Sequence, residues 1–238
     1  MTTLSAIHSW WKDQRTRASF PQTVRRFSWT LWEFARESTP EQRRSRYGDM
    51  DFDWERRVDT TGGSVGWKDR LVGMFHSSYQ PTEPGEFHEM MAALTINFPD
   101  FTFVDIGSGK GRVLLMAADY PFRRIIGVEL LPELHRIAEQ NIGNYKSESQ
   151  RCFAVQSICR DAREFVLPGE PTLLYLFNPL PESGMIRLVE NLERSLREHP
   201  RPLWVLYQNP VLEFLLAKSP ALKRTGGTGQ YSVYRNPR

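Results

Sequence analysis

Phe103-Val104-Asp105-Ile106-Gly107-Ser108-Gly109-Lys110-Gly111-Arg112 decides how this 238-residue chain folds. An apolar run, Phe101 to Ile106, reads as a strand and carries an acid near its end. Glycine then follows at every second position. Glycine lets the backbone turn sharply and approach a ligand closely. Arg112 to Asp119 reads as a helix. The glycines therefore join a strand to a helix start, where free N–H groups form a polar cradle. A tight strand-to-helix turn without a ligand uses the same residues, so the surroundings of the loop have to decide.

Downstream, short apolar runs alternate with segments of helical period. Arg124 to Glu129 reads as a second strand and Pro132 to Tyr145 as a helix. Cys152 to Ile158 and Leu173 to Phe177 read as the third and fourth strands. Glu182 to Glu198 is a helix with Ile186, Leu188, Val189, Leu192 and Leu196 expected on its inner side. Leu203 to Tyr207 is a fifth strand and Val211 to Lys218 a further helix. Leu222 to Arg224 and Tyr231 to Tyr234 flank Gly226-Gly227-Thr228-Gly229 as a closing hairpin. Such alternation predicts an α/β fold with a mostly parallel, doubly wound sheet. Ligands of such sheets bind outside the carboxyl ends of the strands.

Three strand ends add chemistry to the glycine loop. Glu129 ends the second strand, where a carboxylate accepts hydrogen bonds from both hydroxyls of a ribose. Asp161 follows the third strand and reads either as an acceptor for an adenine amino group or as a helix N-cap. Asn178, in Phe177-Asn178-Pro179-Leu180-Pro181, follows the fourth. It reads either as a polar group facing the site or as the brace of an Asn-Pro turn.

Phe103 to Arg112, followed by Gly127-Val128-Glu129-Leu130, resembles the first two motifs of class I methyltransferases that use S-adenosylmethionine (SAM). The resemblance covers about residues 99 to 238. It implies a seven-stranded Rossmann-like sheet with an antiparallel last strand. It also implies that Asp105, Gly107 and Gly109 hold the methionine part of the cofactor, with Ser108 and Gly111 completing the loop. Glu129 would hold the ribose and Asp161 the adenine edge. Nicotinamide enzymes usually show Gly-x-Gly-x-x-Gly, whereas here Gly111 comes one residue early and Arg112 stands in the place of the third glycine.

Asn178-Pro179 resembles part of the Asn/Asp-Pro-Pro-aromatic signature of amino-group methyltransferases, with Leu180 and Pro181 in place of its last two residues. Asp105 to Arg112, Glu129, Asn178 and the upstream Tyr79 and Glu86 region also look like non-SET protein lysine methyltransferases. The resemblance thus implies methyl transfer to an amine, with Asn178 as both a cofactor neighbour and the catalytic group. The expected acceptor is a protein or small-molecule amine in preference to nucleic acid. The alternatives are a SAM-binding protein without catalysis and a nicotinamide-dependent oxidoreductase.

Composition agrees with a globular chain: 40% hydrophobic and 25% charged residues. The 31 basic and 28 acidic residues leave a net charge of +3, without the concentrated basic surface of a dedicated polyanion binder. The cysteines, Cys152 and Cys159, make no zinc pattern or disulfide framework, and the histidines show no metal spacing. No metal is therefore expected. The N-terminus lacks a secretory pattern and no apolar run approaches about eighteen residues, so a cytoplasmic protein is expected.

Upstream of residue 99 the composition changes. Trp10, Trp11, Trp29, Trp32, Trp54 and Trp67 crowd the first seventy residues. Val24 to Ala35 reads as an amphipathic helix and Ser38 to Tyr47 as a charged, exposed stretch. Thr60 to Gly63 reads as a turn. Glu86 to Leu94 reads as a helix after the breakers Pro81 to Gly85. Residues 1–98 are expected to form a helical extension or cap and residues 99–238 the cofactor domain.

Overall fold

The computed structural model describes residues 50–61 and 81–237. The expectations for Val24 to Ala35, Ser38 to Tyr47, Gly62-Gly63 and Tyr79 lie outside them. The chain divides into two compact units. The first is Met1–Glu55 with Thr61–Pro81; its described part is the start of helix α1 (Met50–Arg56), with Thr61 N donating to Asp53 Oδ2 at 2.9 Å. The second is Arg56–Thr60 with Thr82–Arg238, and so takes in residues upstream of 99.

In the second unit the elements run α2 (Pro84–Ala92), β1 (Thr102–Ile106), α3 (Arg112–Ala117), β2 (Arg124–Glu129), α4 (Pro132–Asn144), β3 (Val155–Cys159), β4 (Thr172–Phe177), α5 (Glu182–Glu198), β5 (Leu203–Gln208), α6 (Glu213–Ala217), β6 (Lys223–Gly227) and β7 (Tyr231–Arg235). They build one seven-stranded sheet in the order β3-β2-β1-β4-β5-β7-β6. Strands β1 to β5 are mutually parallel. β7 lies antiparallel between β5 and β6. This is the doubly wound arrangement with an antiparallel last strand that the sequence implied. The chain winds outward from β1 to β3 and then returns to the other side of β1, so the switch point lies between β1 and β4.

β1 is buried along its whole length, as expected for a parallel strand covered on both faces. Val104, Ile106, Val128, Leu174 and Leu176 meet Met185, Leu188, Val189 and Leu192 of α5 in one core. On the other face Phe103 packs among Phe87, Phe122 and Tyr175, with ring centroids 5.2–6.3 Å apart. Asp105 shares that second face with Phe103, two residues away.

Three sequence expectations shift. On α5 the inner side is Met185, Leu188, Val189 and Leu192, while Ile186 is exposed and Leu196 only partly buried. Ile186 lies two residues before Leu188, about 200° round the helix, so it cannot share that stripe. β3 starts at Val155, because Cys152 N donates to Ala118 O outside the sheet ladder. Gly226 and Gly227 belong to β6, next to an irregularity between Arg224 and Gly226, and the turn moves to Thr228–Gln230. Among the described residues no helix is long and apolar enough to cross a membrane, and no cluster of His, Cys, Asp and Glu is placed to hold a metal ion.

Candidate cofactor site at the carboxyl edge of the sheet

The glycine loop leaves β1 at the switch point. Gly107, Gly109 and Gly111 have φ of +80°, +55° and +84°. L side chains rarely adopt these values. At Gly107 a Cβ would lie 2.9 Å from Pro179 Cβ, which places the turn after β4 directly against the loop. Gly127 in β2 has a related role: a Cβ there would meet Leu114 Cδ1 at 2.5 Å and Ser108 Oγ at 2.6 Å.

The loop amides are not the open cradle that the sequence suggested. Gly107 N and Ser108 N both donate to Val128 O, at 2.8 and 3.2 Å, and Gly111 N donates to Ser108 O at 2.8 Å. Gly109 N donates to Glu129 Oε2 at 2.8 Å. The backbone has turned inward to fix its own shape. Ser108 follows it: its Oγ is buried beside Gly127 and has no hydrogen-bond partner among the described residues. Its side chain packs under the loop, so any contact from Ser108 to a ligand comes through its backbone.

The polar groups left at the edge are carboxylates. Glu129 is buried and its Oε1 accepts from Leu131 N at 2.8 Å, so a backbone donor holds each oxygen while further lone pairs stay open. Burial raises its pKa, and the backbone donors oppose the rise. Asp105 is different. It is 3% exposed, yet its carboxylate makes no hydrogen bond among the described residues. Burial first, and the Glu129 charge second, hold the Asp105 carboxyl well above the ordinary range.

Asn178, just after β4, has φ +44° and precedes Pro179. Its Oδ1 accepts from the buried Tyr207 hydroxyl at 2.8 Å. Asp161 takes the capping geometry that the sequence allowed. Its Oδ1 accepts from Arg163 N at 2.9 Å, and both of its oxygens are ion-paired with the Arg163 guanidinium. Behind the edge runs a buried polar chain. Tyr175 OH and Thr82 Oγ1 both reach Gln208 Oε1, and Gln208 Nε2 donates to Glu86 Oε2 at 2.8 Å. Glu86 therefore connects to the end of β5, although its own carboxylate is exposed. His88 is exposed and pairs with Tyr120, and His135 is held between Ser157 and Glu139, so both are occupied away from the loop.

Below the loop, Lys110 is fully buried with its Nζ 2.8 Å from Asp59 Oδ1. Asn141 of α4 joins the same two residues. Its Nδ2 donates to Asp59 O and Lys110 O at 2.8 and 2.9 Å, and its Oδ1 accepts from Asp59 N at 2.8 Å. The buried Arg112 donates to Thr60 Oγ1 at 3.2 Å. The segment 56–60 is thus locked to the underside of the glycine loop. Sequence reading singled out neither Asn141 nor Tyr207. An Asn inside a helix and a Tyr in an apolar strand carry no local signal. For Tyr207 the one available clue was its position at the carboxyl end of a central strand.

No family model matches the chain, and neither does any curated protein. Solved structures with a similar course of the chain include an RNA methyltransferase from Salinibacter ruber in complex with S-adenosyl-L-homocysteine. It is 23% identical over 66% of this chain and 92% of that one, with a TM-score of 0.43. A precorrin-6y C5,15-methyltransferase from Geobacter metallireducens is 13% identical over 66% of this chain and 89% of that one, with a TM-score of 0.48. A ribosomal protein L11 methylase from Lactobacillus delbrueckii is 12% identical over 67% of this chain and 80% of that one, with a TM-score of 0.44.

Proposed function

We propose that the chain is a SAM-dependent methyltransferase whose acceptor is an amine. The observation that carries the reading is Asp105: a buried carboxylate at the switch point, beside a second acid, with no hydrogen bond among the described residues. A ligand with an ammonium and a sulfonium centre supplies the missing countercharge. Asp105 and the backbone of Gly107, Ser108, Gly109 and Gly111 would hold its methionine part. Glu129, with lone pairs to spare, would accept from both ribose hydroxyls. Asp161, at the carboxyl end of β3, would accept from the adenine amino group. The bound cofactor supplies the electrophilic methyl group.

The protein's own contribution is positioning, which can supply roughly 7–11 kcal/mol of a barrier. Pro179 packs against Gly107 and so keeps Asn178 close to the loop. The Asn178 Oδ1 retains a lone pair that can accept an N–H of a neutral amine, leaving the amine lone pair free for attack. Leu180 would form an apolar wall beside it. Arg112 argues against a nicotinamide cofactor. It opens α3 fully buried, in the place where the third glycine of the nicotinamide pattern lets the helix pack closely on its strand.

Thermal stabilisation by SAM and by its demethylated product, S-adenosylhomocysteine, with none by NAD, is the expected result. Incubation with methyl-labelled SAM and cell lysate should then place the label on a protein or a small amine. Absence of any stabilisation by either ligand would refute the cofactor assignment. Label confined to RNA or DNA would refute the acceptor class. Label on nothing would favour a SAM-binding protein without catalysis.

A further inference from the structure

β4 and β5 run side by side and both end in Asn-Pro: Asn178-Pro179 and Asn209-Pro210. Both asparagines are left-handed, with φ of +44° and +45°. Between the two turns stands Tyr207. Its ring is fully buried, and its hydroxyl touches both sides, accepting from Leu212 N at 3.3 Å and bonding Asn178 Oδ1 at 2.8 Å. A backbone N–H can only donate, so the Leu212 contact uses a hydroxyl lone pair and leaves its single proton to be placed. Asn178 Oδ1 is the acceptor within reach. A flipped amide would face the hydroxyl with donors and strand that proton at a buried position, at a cost comparable to a lost hydrogen bond.

We infer that Tyr207 is a positioning residue that fixes the rotation of the Asn178 amide, so that its oxygen rather than its NH2 group is the atom held for the acceptor amine. This rests on the cofactor and acceptor reading above. An amide has two chemically different ends, and only the oxygen end can accept from an amine. Asn178 Nδ2 makes no hydrogen bond among the described residues, so nothing but Tyr207 selects the rotamer there. The left-handed backbone and Pro179 hold the Cα in place, but neither distinguishes the two amide orientations.

The test uses sinefungin, a SAM analogue in which a carbon replaces the sulfur and an amino group replaces its methyl. Its ammonium occupies the region where an acceptor amine and the transferred methyl meet. The readout is the ratio of sinefungin to S-adenosylhomocysteine affinity, measured by calorimetry on the full chain. In the parent this ratio should favour sinefungin about 10-fold, the size of one charge-assisted hydrogen bond. Tyr207→Phe should remove most of that preference while S-adenosylhomocysteine affinity stays within about 2-fold. In the Asn178→Asp background, Tyr207→Phe should leave the ratio within about 2-fold, because a carboxylate presents an acceptor in either rotation.

A purely structural role for Tyr207 predicts equal losses in both backgrounds, and that result overturns the inference. So does a parent that binds S-adenosylhomocysteine but shows no preference for sinefungin. So does a Tyr207→Phe ratio unchanged beside Asn178. If the parent binds neither ligand, the cofactor reading falls and takes this inference with it.

Discussion

Asp105→Asn should make the free protein more stable and its cofactor binding weaker. Asp105 is buried on the face shared with Phe103 and Tyr175, and no hydrogen bond among the described residues offsets its desolvation. Its carboxyl sits well above the ordinary range, through burial and the neighbouring Glu129 charge. A raised folded pKa means that the folded state holds the proton longer. Stability therefore falls as pH rises from the unfolded value of about 3.9 up to the raised folded value, and stays flat above it. Asn is nearly isosteric and removes the charge. Relief of one buried, unsatisfied acceptor is worth about 1–3 kcal/mol, a lower bound when the group is charged. At ~2–4 °C per kcal/mol for a chain of this size, Tm should rise by about 2–12 °C at neutral pH. The excess pH slope of the parent should vanish in the variant. Calorimetry with S-adenosylhomocysteine should show the reverse trend, with loss of a charge-assisted contact of about 1.5–3 kcal/mol, or ~10–150-fold in Kd. Binding to the parent should also release protons in the same pH window, since a bound cation favours the ionised carboxylate. A variant that is less stable than the parent, or that binds S-adenosylhomocysteine equally well, would refute the assignment of Asp105 to the ligand.

Gly107→Ala introduces a Cβ at 2.9 Å from Pro179 Cβ on a φ of +80°. The left-handed penalty alone is about 1–2 kcal/mol, so a Tm fall of at least ~2–8 °C with loss of detectable SAM binding is expected, and a variant with parental binding would show that the loop can relax. Glu129→Gln sets an NH2 group against either Gly109 N or Leu131 N and withdraws an acceptor from the ribose. Its affinity for S-adenosylhomocysteine should fall about 10–150-fold, and parental affinity by calorimetry would count against the ribose role. Asn141→Ala deletes three hydrogen bonds that tie Asp59 to the loop. At about 1 kcal/mol each it should lower Tm by ~6–12 °C and speed amide exchange at Asp59; unchanged exchange there would mean that the tie contributes nothing.

The centre of the sheet was legible because β1, β2, β4 and β5 are short apolar runs, each closed by a turn residue or an acid, whereas β3 and β6 are more polar and more exposed and their bounds shifted. Arg124 to Glu129 and Glu182 to Glu198 came out with the same ends in sequence and structure. The glycine loop was legible because alternate glycines have few uses other than positive φ, and all three proved left-handed. What the sequence could not show was where each hydrogen bond goes. The loop amides looked free because a helix start leaves donors unpaired, but Val128 O and Glu129 lie on the adjacent strand and take them. Ser108 looked like a ligand contact because it stands between two glycines, yet the turn aims its hydroxyl at Gly127. Asp161 had two readings of equal standing at the sequence level, and Arg163, two residues on, supplies the capping geometry. Ile186 is apolar and sits on an amphipathic helix, but about 200° of rotation separates it from Leu188 and turns it outward.

The costs in this fold are not spread evenly. On the face of the sheet covered by α5, the core is apolar and closely packed. At the carboxyl edge, by contrast, three glycines and two asparagines take left-handed backbone, two acids are buried side by side, and the Ser108 hydroxyl has no partner among the described residues. Non-glycine residues at positive φ and buried uncompensated charge each cost stability. A chain that needed only a strand-to-helix turn could meet that need with one glycine and no buried acid. The location adds to the case, because all of these features but Asn209, which follows β5, gather around the point where the strand order reverses and a crevice opens between neighbouring loops. A ligand with a cationic end and a sugar would offset the charge of Asp105 and use the open lone pairs of Glu129 together. Stability gained on ligand binding should therefore exceed what either acid loses alone, and the Asp105→Asn and Glu129→Gln effects on Kd should be non-additive when combined, since the two carboxylates interact directly.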